Sequence, residues 1–450
     1  MTIATAASES IRAQFAAIVG ESQVVSDSGI CKTYQVDGKI PTSIVYPSSA
    51  EQVAAVLKCA QDHDLAVIPC RNLTKIAVGN TPRRYDVALS LKQMNQVWYY
   101  EPADLVISVE PGMKLGDFQH FVARHKLWIP LDPPGGPRSS LGGILATNAS
   151  GPLRQLFGGP RDLVLGMKIA TTEGKIVRTG GRVVKNVAGY DLGKLLIGSY
   201  GTLGVIVEAS LKLHPLPVGR ATFVLSAGTL SSARQLRQGL QQSPLEPMRM
   251  VLLDSEAAKL VRPGSATVGA EIWIEAGGSS RIIERYGRVL EELGRDAGVS
   301  LRREEAEEAE SAWSRMADFC SAIGNDYPSP VVVRAALPIA SSEEFISQAQ
   351  ESAARDSVRL ATIALPGVGV VRLYLLERTQ KAALPRFIEN LRAAAVAQGG
   401  SLVVEWCVPE VKAQVDVWGT PGDDFEMMRK VKQAWDPTTT LAPGRFVGRL

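Results

Sequence analysis

Between Ser139 and Pro152 the chain reads SSLGGILATNASGP, with no bulky apolar side chain after Leu145. Nothing in a plain core needs such a composition. Gly142 and Gly143 lack a Cβ, so another group can approach the main chain there, and Thr147, Asn148 and Ser150 place hydrogen-bonding side chains beside bare N–H groups. The segment suits a wall lying against a large, flat, polar ligand. Pro133, Pro134, Gly135, Gly136 and Pro137 exclude regular structure just before it.

The other 436 of the 450 residues must supply the cores, and a hydrophobic content of 45% is normal for globular domains. At about 100–200 residues per domain, the length predicts two or three of them. The net charge is only +3, which gives no strong field for nucleic acid or an anionic membrane surface. No run of 18 apolar residues predicts a transmembrane span, and the start lacks the regions of a signal peptide, so a cytoplasmic protein is expected. Cys31, Cys59, Cys70, Cys320 and Cys407 are scattered and never spaced CxxC, so neither disulfides nor a zinc or iron–sulfur site is expected in this chain. The four histidines are His63, His120, His125 and His214. His120 and His125 are five apart on a helix-like stretch, which does not put both on one face for a metal, and His214 before Pro215 reads as structural.

Along the chain, residues 41–70 predict strand, helix capped by Ser48 or Ser49, and strand, with Val53, Val56, Leu57 and Ala60 at helical spacing. VLGMKIATT and KIVRT flank Glu173 and Gly174 as a hairpin. A boundary falls near Pro217. Beyond it, amphipathic helices at 279–298, 341–356 and 384–400 alternate with single strands such as AEIWIEA and VVRLYLLE, which predicts a sheet covered by helices. Arg303 to Ser311 reads as a solvated helix face, and no internal repeat is evident. Gly198, Gly201 and Gly204 suggest a dinucleotide fingerprint, but they follow a helix and open a strand, the inverse of the order that motif requires. A tight helix-to-strand turn explains them.

PSSAEQVAAVL, VEPG, LGGILATNASGP, DLVLGMKI, KNVAGYDLGKLLIGSYGTLGVI and DPTTTLAPGRF occur in the order found in the vanillyl-alcohol oxidase / p-cresol methylhydroxylase flavoprotein family. Over Pro41 to Pro217 and the last fifteen residues the chain resembles that family, and within it the FAD-binding accessory subunits of bacterial glycolate oxidases. The middle matches only in general pattern. The resemblance implies an α+β fold with a two-subdomain FAD-binding domain over 1–217 (core 37–217), an α+β, ferredoxin-like cap domain over 218–409, and a C-terminal helix and tail over 410–450 that return to the FAD domain. It also implies FAD as cofactor. Its contacts map to Gly142, Gly143, Ala146, Thr147, Asn148, Ser150 and Gly151, to Gly204, Val205 and Ile206, and to Pro111 and Gly112 after Glu110. Lys185, Asn186, Tyr190 and Asp191 are further polar groups, read either as ligand contacts or as a turn and helix cap.

Two departures from the family pattern matter. The family's pyrophosphate loop resembles P-x-G-x-G-T-K, whereas this chain reads PCRNLTKIAVGN. Pro69, Thr74, Lys75, Gly79 and Asn80 remain, but Arg71, Asn72 and Leu73 stand where glycines are expected. Asn72 tolerates a positive φ, while Leu73 there costs about 1–2 kcal/mol. Arg71 and Lys75 offset the loss by adding positive charge. The second departure is chemical. Family members that oxidise 2-hydroxy acids resemble one another in C-terminal histidine clusters, and here no histidine follows His214. The expected function is therefore an accessory or electron-transferring FAD subunit, with a catalytic FAD-containing subunit and an iron–sulfur subunit as partners, peripheral to the inner face of the membrane through them. A small 2-hydroxy acid would be oxidised by the complex. The alternatives are a stand-alone FAD-dependent oxidoreductase and a flavin-free assembly subunit. In the closing LAPGRF, Pro443, Gly444 and Arg445 serve either as a clasp or as a ligand contact.

Overall fold

Short apolar strands near the N-terminus form the first sheet: β1 (Val24–Val25), β2 (Ser43–Val45), β3 (Val67–Cys70) and β4 (Val87–Ser90), in the order β1-β2-β4-β3. The strands β2, β4 and β3 run parallel, so β2 and β3 need a crossover between them. The helix Ala50–Asp62 provides it, capped by the Ser49 hydroxyl, which accepts the Gln52 N–H at 3.2 Å. Its Val53, Val56, Leu57 and Ala60 are buried, as the helical spacing requires. The computed structural model describes residues 3–181, 191–264, 268–328, 330–376 and 383–450, so Lys185, Asn186 and Tyr190 lie outside the described residues.

The second sheet is antiparallel in the order β5-β6-β10-β8-β9. Its strands are β5 (Val97–Glu101), β6 (Val106–Val109), β8 (Val164–Ala170), β9 (Ile176–Gly180) and β10 (Val205–Lys212); β7 (Leu127–Trp128) pairs separately with β11 (His214–Pro215). Ile107, Phe118, Ile169 and Leu211 form its core. The glycine-rich segment is a helix here, Leu141–Thr147, and its spacing divides it cleanly. Leu141, Ile144 and Leu145, at i, i+3 and i+4, enter that core, and Gly142, Gly143, Ala146 and Thr147 are left on the other side.

The remaining strands are β12 (Arg220–Ala227), β13 (Arg249–Asp254), β14 (Ala270–Gly277), β15 (Ser300–Glu304), β16 (Val331–Ala336), β17 (Leu360–Leu365), β18 (Val370–Leu375) and β19 (Ser401–Trp406). They form one eight-stranded sheet, β15-β12-β14-β13-β17-β18-β16-β19. Counted within each half, the order is 4-1-3-2 followed by its mirror, 2-3-1-4. The ferredoxin-like pattern thus occurs twice, joined where β13 pairs with β17. This corrects the expectation of no repeat, because the duplication lies in the topology and not in residue identity. The helices Leu230–Gln242, Ser280–Ala297, Ser342–Arg355 and Leu384–Ala397 cover one face. A buried, bidentate Arg237–Glu343 pair at 2.6 and 3.0 Å ties a helix of the first unit to one of the second. The stretch 303–311 begins in β15, where Glu304 is buried between Arg262 (2.9 Å) and Arg302 (3.0 Å), and from residue 306 it is the expected solvated face of the helix Ala306–Ala317, with only Ala309 of the stretch buried there.

The last residues return to the first sheet. Val67 N–H donates to Thr440 O at 2.8 Å and Ala442 N–H to Val67 O at 2.9 Å, extending the sheet beyond β3. From the helix Phe425–Trp435, the buried Lys432 ammonium donates to Thr202 O (2.8 Å), Leu441 O (3.0 Å) and Asp436 (2.6 Å).

Candidate functional site

A cleft enclosing about 920 Å³, open to solvent, lies between the loop after β3, the bare side of helix Leu141–Thr147, the turn at Ser199–Gly201 and the start of β10. Three cations line it, Arg71, Lys75 and Arg445, and no carboxylate or histidine does so among the described residues. His63 bonds Gln14, His125 bonds Tyr100, His214 sits against Phe157, and His120 lies on the helix Leu115–Ala123 away from the cleft.

The loop takes its shape from contacts behind it. Leu73 has φ of 58°, the left-handed conformation that costs a leucine about 1–2 kcal/mol, so the strain foreseen from the missing glycine is present. Arg71 Nε donates to Gly112 O at 2.9 Å, and Arg71 also contacts Asn72, which donates to Arg138 O. The Arg445 guanidinium donates through Nη2 to Ile76 O at 2.6 Å and to Val78 O. Lys412, buried against Asp37 at 2.9 Å, donates to Ala77 O. The C-terminal segment therefore holds the carbonyls of three consecutive loop residues, 76–78, just beyond the positions that lack glycine.

Charge in the cleft is shaped by burial. Lys75 donates to Pro134 O at 2.6 Å and Ser139 Oγ at 3.1 Å, and burial pulls its pKa down to about 8 against the opposing pull of Glu405 and Asp318. Burial likewise lowers Arg445 to about 10 and raises the Tyr200 phenol to about 12. Arg445 Nη1 is buried with no hydrogen-bond partner, an orphaned cationic donor on the cleft wall that an anionic ligand would satisfy.

Of the sequence-derived contacts, Asn72, Thr74, Lys75, Pro111, Gly142, Gly143, Ala146, Thr147, Gly204, Val205 and Ile206 line the cleft. The other six are not on its lining. Gly112 packs on the carbonyls of Leu91 and Met94, Gly79 on that of Arg445, and Gly151 on that of Asp132, each leaving no room for a Cβ. Asn80 binds Asp416 and Val417 N–H, Asn148 closes the helix in the left-handed region at φ 49°, and the Ser150 carbonyl faces Arg372. Asp191 accepts Lys194 N–H at 3.3 Å, just before the short helix Gly193–Leu196. Tyr200 was not foreseen. Its signal was a bulky residue between Gly198 and Gly201, and it holds φ of 56° while its N–H donates to Ala146 O at 2.8 Å. The glycines here do turn a helix into strand β10.

Beyond the residues that line the cleft, the cap places Arg334, Arg372 and Glu405 within electrostatic reach of Tyr200, with Arg334–Glu405 at 2.8 Å and Arg372–Glu405 at 2.9 Å. Burial would raise the Glu405 carboxyl, but the two arginines outweigh it and hold it below the usual carboxylate range. The halves are further joined by Arg249–Asp132 at 3.1 Å and by Arg138–Asp318.

Three cations, an orphaned guanidinium donor and a helix side bare of bulk fit a dinucleotide carrying a diphosphate and a flat ring. When bound, a flavin supplies redox chemistry that no amino-acid side chain has. Comparison with known proteins agrees. Residues 41–180 match the FAD binding domain family and residues 216–446 match the FAD linked oxidases, C-terminal domain, so the middle of the chain, which the motifs left unplaced, belongs to the same architecture. The chain is 26% identical over 423 residues to glycolate oxidase subunit GlcD of Bacillus subtilis, covering 91% of this chain and 90% of that one. It is 25% identical to the mitochondrial D-lactate dehydrogenase [cytochrome] of Arabidopsis thaliana (91% and 74% covered) and 26% identical to D-lactate dehydrogenase of Archaeoglobus fulgidus (90% and 91%). In fold it is similar to p-cresol methylhydroxylase, with a TM-score of 0.80 at 15% identity over 97% of this chain and 96% of that one. The chain belongs to the FAD-linked oxidases, and is a flavin-dependent oxidoreductase that uses FAD.

Proposed function

We propose that the chain is the FAD-binding, electron-transferring subunit of a complex that oxidises a small 2-hydroxy acid of the glycolate or D-lactate type. A catalytic flavoprotein partner takes hydride and proton from the acid, and an iron–sulfur partner carries electrons onward. The proposed division is an FAD domain over 1–217, a cap over 218–409 and a returning segment over 410–450. The eleven cleft residues named above, with Tyr200 and Arg445, hold the cofactor.

The observation that supports an accessory role is the lack of a base at the cleft among the described residues. Oxidising a 2-hydroxy acid requires a group that accepts the hydroxyl proton near neutral pH. All four histidines lie elsewhere, Lys75 at about 8 is mostly protonated at pH 7, Tyr200 at about 12 is wholly so, and Glu405 is pinned by two arginines. Anaerobic titration of the isolated yellow protein with glycolate and D-lactate tests this. The flavin should stay oxidised alone and bleach once the partner subunits are added. Bleaching of the isolated chain would instead establish the stand-alone oxidoreductase, a reading favoured by likeness to GlcD and the D-lactate dehydrogenases over nearly the whole chain. Purification without bound flavin, and no uptake from excess FAD, would favour the assembly subunit.

A further inference from the structure

Arg334 and Arg372 stand directly opposite each other on the adjacent strands β16 and β18, where like charges repel. The Glu405 carboxylate lies between them. Arg334 Nε donates to one of its oxygens at 2.8 Å and Arg372 Nε to the other at 2.9 Å. An arginine pair would grip a free carboxylate in the same way.

Glu405 reaches this position through an irregularity in the sheet. Val333 pairs with Val404 but Val332 pairs with Trp406, so Glu405 is the extra residue of a bulge, a device that redirects a side chain. The cluster also borders open space, with 29% of the Arg334 side chain and 25% of the Glu405 side chain accessible. On its far side Arg372 Nη2 donates to Ser150 O at 3.4 Å, and Tyr200 and Lys75 of the cleft wall lie within its electrostatic reach.

We propose that Glu405 is the resident occupant of a carboxylate site, filling between Arg334 and Arg372 the place where the carboxylate of a small 2-hydroxy acid would otherwise bind. This rests on the reading of the chain as a subunit that does not oxidise the acid itself, and it supplies the physical reason: the cleft takes flavin while its acid anchor is satisfied from within. A residue serving only as counter-charge would leave no acid site when removed, because the freed arginines would turn to solvent. An occupant leaves a gap with the shape and charge of a carboxylate.

The test is calorimetric titration of the full-length, FAD-loaded protein with oxalate, an unreactive dicarboxylate. Wild type should show no binding at about 1 mM, while E405A, which removes the carboxylate and opens the gap, gains at least ~10-fold in affinity and R372M added to E405A abolishes the gain. E405D keeps the counter-charge, and hence the fold, but withdraws the carboxylate by one methylene, so it should gain in part. Oxalate binding to wild type as tight as to E405A, or no gain in either variant, overturns the proposal. Because the readout is binding of a molecule that cannot reduce flavin, bleaching of the isolated chain by glycolate would refute the subunit reading separately.

Discussion

Arg445 makes two side-chain bonds to backbone carbonyls through Nη2 and leaves Nη1 without a partner, and that residue ties cofactor affinity to the tail. Charge-assisted hydrogen bonds contribute about 1.5–3 kcal/mol, so R445M should weaken FAD binding by roughly 10- to 100-fold, measured by quenching of FAD fluorescence, and R445K should recover part of it. Lys75 gives a pH signature. Its pKa in the free protein is about 8, lowered by burial. A bound diphosphate favours the charged form and raises that value, so the complex holds a proton the free protein has lost above pH 8. FAD affinity should be flat up to about pH 7 and fall as pH rises past 8, and K75M should abolish the slope. Both cations were visible in the sequence. The orphaned donor of Arg445 was not, because it depends on carbonyls 369 and 367 residues away.

Among the elements, the helix Leu141–Thr147 shows how tertiary contacts override composition. Two glycines in seven residues disfavour a helix by about 1 kcal/mol each, yet Leu141, Ile144 and Leu145 anchor one in the core. The glycines then serve different ends. A Cβ on Gly142 would stand 2.6 Å from Pro111 Cβ, whereas one on Gly143 would meet only Ser140 Oγ, at 3.1 Å. G142A should therefore destabilise the fold by about 1–3 kcal/mol in urea denaturation, as overpacking does. G143L should leave the urea midpoint nearly unchanged and abolish flavin retention, read from the absorbance of the purified protein. Sequence singled out this segment as a wall. It did not separate the glycine packed tightly on Pro111 from the one with space above it, since that distinction follows from which side Pro111 occupies.

For the molecule as a whole, the returning segment braces the loop just after its altered positions. Lys412 and Asp37 form a buried pair 375 residues apart in the chain, with side chains 1% and 5% exposed. K412M would leave Asp37 buried without its counter-ion, and such a loss costs about 3–5 kcal/mol. Urea denaturation should show it, together with weaker FAD binding, because the loop would lose its support at Ala77. Domain-scale legibility was uneven for the same reason. The Ser49-capped helix and the hairpin of β8 and β9 were plain from the chain, whereas β12, β13, β15 and β17 were missed because their neighbours in the sheet, not their local pattern, make them strands.

By itself the sequence determined the capped helices, the turns, the ordered motifs that mark an FAD-linked oxidase, and the loop where leucine replaces glycine. Each of these is encoded by residues within a few positions of one another. Only the tertiary structure decided the mirrored pairing of two βαββαβ units, the tail that braces residues 76–78, and the Glu405 carboxylate lodged between two arginines. Each of those depends on groups brought together from distant parts of the chain, where hydrogen-bond partners and buried charge, not local propensity, select the arrangement.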